Sequence, residues 1–164
     1  MSGTDAAENR PSWRIAWEML SDADELAARG ADSGVARQLA AQLGEQLVWL
    51  YFDNTGHSVR SPEPGGGFDL VVDGRQRVEV KTARRDTTNS RAPAVTLRSL
   101  NFDELAVVVL GSGIGRVSMF LVRPSEIRAF AKTHKSGFTL RLSPAFAAHP
   151  YVRDVSDELR SLVK

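Results

Sequence analysis

The dipeptide Asp73-Gly74 constrains this chain more than any other short stretch. It stands between two strand-like runs, Phe68 to Val72 and Arg75 to Lys81, and an Asp-Gly pair there is a strong signal for a tight hairpin turn. Once the runs pair, alternation decides which residues share a face. Val78 and Val80 point to one side, which suits a core, while Glu79 and Lys81 point to the other. Asp69 lies near the start of the first strand, opposite the end of the second. The hairpin therefore gathers Asp69, Glu79 and Lys81 at one end of a sheet.

Two carboxylates converging in this way repel unless a cation lies between them. A hard divalent ion with oxygen ligands suits such a site, Mg²⁺ first and Mn²⁺ as a substitute. A lysine beside that ion can position or help deprotonate an attacking water, or stabilise charge growing on a phosphate. Seven bases fall between Arg75 and Arg98 against two acids, Glu79 and Asp86. A basic stripe of this kind neutralises phosphates, although the formal net charge of the whole chain is only +1.

The rest of the sequence supplies a frame for the hairpin. The spacing of Ile15, Met19 and Leu26 predicts a helix over Arg14 to Arg29, ended by Gly30. Ser33 is placed to cap a longer helix reaching about Phe52, with an apolar stripe of Val35, Leu39, Leu43, Leu47 and Leu50. A short strand at His57 to Arg60 precedes the loop "SPEPGGG" and the hairpin, and a polar loop "RRDTTNSRAP" follows. The continuous apolar run Leu105 to Leu110 reads as a central strand buried on both faces. Val117 to Val122 reads as another strand, Ser125 to Lys132 as a helix behind Pro124, Phe138 to Leu142 as a late strand and Asp154 to Val163 as a short amphipathic helix. The expected fold class is α/β in the broad α+β sense, with a central mixed β-sheet flanked by helices. Residues 1–32 form a helical extension, and 33–164 form a single domain.

Composition removes several function classes. With no cysteine, the chain has no disulfide, zinc-thiolate or thiol-nucleophile chemistry. No apolar run approaches the roughly 18 residues of a membrane span, and the polar, acidic N-terminus is unlike a signal peptide. The expectation is a cytoplasmic protein without membrane partners. His57, His134 and His149 lack metal-ligand spacing, and "GSGIGR" at 111–116 precedes a strand, unlike a dinucleotide loop. The glycines of "PGGGF" at 64–68 let backbone or substrate come close to Asp69. Trp13, Trp17 and Trp49 sit at helical spacing in apolar segments and are read as core.

"FDLVVDGRQRVEVK" resembles the metal-binding core of the PD-(D/E)XK nuclease superfamily, the restriction-endonuclease-like fold. In that pattern an acid begins one strand and E-x-K ends the next; here they are Asp69 and Glu79-Val80-Lys81. Many members carry a glutamate on the preceding helix, and Glu45 in "LGEQLVWLYF" stands in that place. Phe68 stands where the name-giving proline would be. The resemblance implies that Asp69, Glu79 and the Val80 carbonyl bind the metal, that Lys81 acts on the water and that Glu45 supports the site. It implies a DNA endonuclease hydrolysing phosphodiester bonds in repair, recombination or defence against foreign DNA. Thr82, Arg84, Arg85 and Arg91 are the candidate phosphate contacts. Without a separate reading domain, specificity has to come from loops, from a homodimer or from a targeting partner protein. The late strand and the C-terminal helix are the candidate dimer surfaces. Two rival readings remain at this level. One is an inactive nuclease-fold module that binds DNA or a protein. The other is a non-nuclease protein in which Glu79 and Lys81 are an ordinary surface pair, with the carboxylates diverging.

Overall fold

The computed structural model describes residues 11–85 and 91–164. Two helices come first, α1 (Ser12–Ala28) and α2 (Gly34–Asn54), packed against each other. Asp32 rather than Ser33 caps α2: its Oδ1 accepts from the Gly34 N–H at 2.9 Å, while Ser33 already has helical torsions and its side chain caps nothing. The buried face of α2 is also rotated from the expected stripe. It consists of Ala36, Ala40, Leu43, Gly44, Leu47, Val48, Tyr51 and Phe52, and leaves Val35 exposed. Small residues at Ala36, Ala40 and Gly44 let the helix axis come close to what lies beneath it, which the bulkier Val35 side would prevent.

The strands follow as β1 (Val59–Arg60), β2 (Leu70–Val72), β3 (Gln76–Arg84), β4 (Ala94–Leu97), β5 (Glu104–Leu110), β6 (Ser118–Val122), β7 (Lys132–His134), β8 (Gly137–Arg141) and β9 (Arg153–Asp154). Six of them form a mixed sheet in the order β1-β2-β3-β5-β6-β9, parallel between β3 and β5 and antiparallel elsewhere. The β2–β3 hairpin pairs Val72 with Gln76, so its loop is Asp73-Gly74-Arg75. Asp73 and Gly74 both have positive φ, 53° and 72°. Asp73 tolerates this because its carboxylate is held by the His57 ring at 2.7 Å and by the Ser58 N–H at 3.1 Å. His57 is thus a partner of the turn.

Two sequence expectations are corrected here. The helix expected over Ser125 to Lys132 is the single turn α3 (Pro124–Ile127), and Lys132–His134 instead pairs with β8. The two-residue turn Lys135-Ser136 and the alternation after it close a hairpin before a helix can propagate. The late strand does not join the main sheet: β4, β8 and β7 make a second, three-stranded sheet. β4 lies within the β3-to-β5 crossover, where a helix is the usual solution. Two more helices complete the chain, the single turn α4 (Pro144–Ala147) and α5 (Ser156–Leu162).

The main sheet is covered on both sides. Val78, Val80, Ala106, Val108, Met119 and Leu121 pack with Trp13, Leu20, Leu43, Leu47 and Leu159 of α1, α2 and α5. Leu105, Val107, Val109, Phe120 and Val122 pack with Val95, Leu97, Leu140, Ile127 and Phe146. β5 is accordingly buried from Leu105 to Leu110, as an all-apolar strand requires. α1 belongs to the same core as the domain it precedes. Leu159 and Val163 are buried against the sheet, so the apolar side of α5 is already used within the chain rather than offered to a second copy. No helix among the described residues is long and apolar enough to cross a membrane.

Candidate active site

β2 is short, and that shortness makes the site. Leu70 pairs with Val78, the Asp69 N–H donates to the Val78 carbonyl at 2.9 Å, and the ladder then stops. Beyond it the next β3 amide facing that side, Val80 N–H, donates to Asp69 Oδ2 at 2.8 Å. The Asp69 carboxylate therefore occupies the place of a continuing strand. Because the amide and carbonyl of one strand residue face the same neighbour, the Val80 carbonyl is directed into the same opening.

Glu79 lies opposite Asp69 on the face away from the helices. Its carboxyl is pushed above the usual range by burial, pulled back by a hydrogen bond from Lys81, and raised again by the Asp69 charge. Lys81 Nζ sits 2.9 Å from Glu79 Oε1. Glu45, on α2, does not line this cleft but a neighbouring one of about 350 Å³ with Ser12, Ile15 and Gln42, where the charges of the site still act on it. It is half-buried, and its carboxyl is raised first by burial and then by the charges of Asp69 and Glu79. Three carboxylates thus bear on one another with one ammonium among them. Among the described residues no three metal-ligating side chains form a closed cluster. The groups that could hold a cation in this opening are the Asp69 and Glu79 carboxylates and the Val80 carbonyl.

Asp69, Glu79 and Lys81 line one cleft of about 750 Å³. Gly66, Gly67 and Phe68 form its near wall, so the glycine loop does border Asp69. Thr96, Arg98, Ser99 and Ser136 from the second sheet form the far wall. Sequence reasoning missed this wall. Its signal was present in the alternation Ala94-Val95-Thr96-Leu97 behind Pro93, which reads as a strand with one polar face.

The four basic or hydroxyl candidates do not join this cleft. Thr82 points at α2, where a Cβ on Gly44 would stand 1.8 Å from Thr82 Oγ1. Arg84 reaches α1, where both terminal nitrogens of its guanidinium bond the two oxygens of Asp24. Parity explains both: Thr82 and Arg84 share the face of Val78 and Val80, not that of Lys81. Arg85 and Arg91 line a separate cleft of about 360 Å³ with Phe120 and Ser143. The part of the polar loop between them, residues 86–90, lies outside the described residues. Of the remaining histidines, His134 bonds Ser136 and Thr139, and His149 packs edge-on against Phe130.

No protein-family model matches the sequence, and no curated protein matches it. Among solved structures the chain is similar to a bacterial homing endonuclease, I-Ssp6803I. The identity is 15%, the match covers 69% of this chain and 82% of that one, and the TM-score is 0.49.

Proposed function

We propose that this chain is a metal-dependent DNA endonuclease of the PD-(D/E)XK kind. The observation that carries the reading is the convergence of Asp69, Glu79 and Lys81 on one cleft, with Glu45 close enough for its carboxyl to respond to both acids. A divalent cation held by Asp69, Glu79 and the Val80 carbonyl would supply Lewis acidity toward a phosphoryl oxygen and lower the pKa of a bound water. Lys81 orients the attacking water or takes up charge developing on the phosphate once its contact with Glu79 loosens. Glu45, half-buried, adds to the negative charge around the site from α2. Asp69 also holds the Val80 amide, so it fixes the β3 backbone as well as offering an oxygen.

The test is cleavage of supercoiled, branched and single-stranded DNA with Mg²⁺ or Mn²⁺, comparing wild type with Asp69→Ala and Lys81→Ala. Metal-dependent nicking lost in both variants is expected. The 2.9 Å Lys81–Glu79 pair favours one competing reading, a module that binds DNA without cutting it, because that pair neutralises both charges unaided. Binding without cleavage under every metal tried would establish that alternative.

A further inference from the structure

The acidic side of the cleft cannot hold a polyanion by itself, so the cations and donors opposite it decide what enters. Lys81 is engaged by Glu79. Arg98, on the far wall, is exposed and has no hydrogen bond or ion pair among the described residues. Three hydroxyls surround the same wall, those of Thr96, Ser99 and Ser136. The arrangement is fixed by packing. Val95 and Leu97 are buried beneath Thr96 and Arg98, so β4 cannot turn its polar face away without exposing them. The first residue of β8 is pressed onto the end of β4: a Cβ on Gly137 would lie 1.9 Å from the Leu97 carbonyl oxygen and 3.0 Å from the Arg98 Cα. Only a glycine, here at φ 137°, permits that approach, and it carries Ser136 to the side of Arg98. The Ser136 hydroxyl is itself braced by the His134 ring at 3.0 Å.

We infer that the three-stranded sheet is the wall that holds the DNA backbone, with Arg98 gripping a phosphate across the cleft from Asp69 and Glu79. The inference rests on the nuclease reading of the same cleft and gives it a substrate-positioning residue. A guanidinium offers a planar fork that matches two phosphate oxygens, and hydroxyls on the same face complete the donor set. The second sheet thereby covers the core face of Leu105, Val107 and Val109 and presents the donors that face the catalytic carboxylates. Lys132 and Lys135, both exposed on the β7–β8 hairpin, extend the positive edge of the same wall.

The experiment is a fluorescence anisotropy titration of a labelled random-sequence DNA duplex with the full chain in EDTA, repeated over a series of salt concentrations. Wild type, Arg98→Ala, Arg98→Lys and Asp69→Asn are compared, and thermal melts check that each is folded. Arg98→Ala is expected to bind about tenfold more weakly with a salt slope lower by about one. Arg98→Lys should restore the slope but only part of the affinity, and Asp69→Asn should bind at least as tightly as wild type. If Arg98→Ala superimposes on wild type while wild type nicks plasmid with Mg²⁺ and Asp69→Asn does not, this inference is overturned and the nuclease reading stands. Arg98-dependent binding by a wild type that never cleaves has the opposite meaning: the wall is as described and the catalytic reading fails.

Discussion

On one side of β3, Val78, Val80, Thr82 and Arg84 meet helices, and each is accounted for there. The valines are in the core, Thr82 fills the space that Gly44 leaves open, and Arg84 is paired with Asp24. On the other side, Glu79 and Lys81 meet a cleft, and the charges around them do not balance, since Asp69 and Glu45 add two more acids to one ammonium. A second half-buried glutamate on the same sheet shows what balance looks like. Glu104 lines a cleft of about 550 Å³ at the other end of β3, where burial raises its carboxyl and Arg153 and Arg123 pull it back. Burial of a carboxyl is therefore common to a structural site and to the candidate active site. What separates them is whether the neighbours are arginines or further carboxylates.

The largest effect expected from this contrast is on cleavage. Asp69→Asn and Lys81→Ala should each slow plasmid nicking about a hundredfold or more, while Glu104→Gln, at the balanced site, should leave the rate within about twofold. Equal losses in all three would erase the distinction between the two glutamate clusters.

The helix face of β3 should respond through stability. A Cβ at Gly44 collides with Thr82, and overpacking of this kind costs about 1–3 kcal/mol, of which roughly 1 kcal/mol is returned by replacing a mid-helix glycine. Gly44→Ala should thus lower the melting temperature, and Gly44→Ala/Thr82→Ala should recover it. A Gly44→Ala protein that melts no lower than wild type would show that α2 does not bear on Thr82. Arg84→Ala should cost less than about 1 kcal/mol, as part-exposed ion pairs do, and leave the salt slope of DNA binding unchanged. A reduced slope would return Arg84 to the substrate face.

The smallest expected effect is a pH dependence. The Glu45 carboxyl is raised above its ordinary value of 4.5, so the folded state favours its neutral form. The associated stability is complete below that ordinary value and is lost as pH rises through the raised one. Glu45→Gln stays neutral throughout. In EDTA it should melt on the order of a degree or two higher than wild type at neutral pH, allowing for solvent screening, and the gap should close on acidification below 4.5. A gap that persists in acid would assign the gain to packing.

The hairpin, the central strand and the three acidic or basic members of the site were legible because strand alternation has a fixed period and Asp73-Gly74 fixes where it reverses. The same parity places Thr82 and Arg84 on the opposite face from Lys81, against the helices and away from the cleft. The second sheet was harder to see. β4 is four residues long and follows a polar loop, and its partner β8 lies 45 residues downstream at the pair Val95–Leu140, so no local pattern announces the pairing. Arg98 stood in the sequence as one base in a stripe, and only the long-range pairing of β4 with β8 turns it toward Asp69.

Calorimetric titration of Mn²⁺ into the metal-free chain asks whether Asp69 and Glu79, with Glu45 behind them, take up a cation. Wild type and Glu104→Gln should each show one saturable site, absent in Asp69→Asn. No saturable binding by wild type, or binding by Asp69→Asn equal to wild type, would contradict the account.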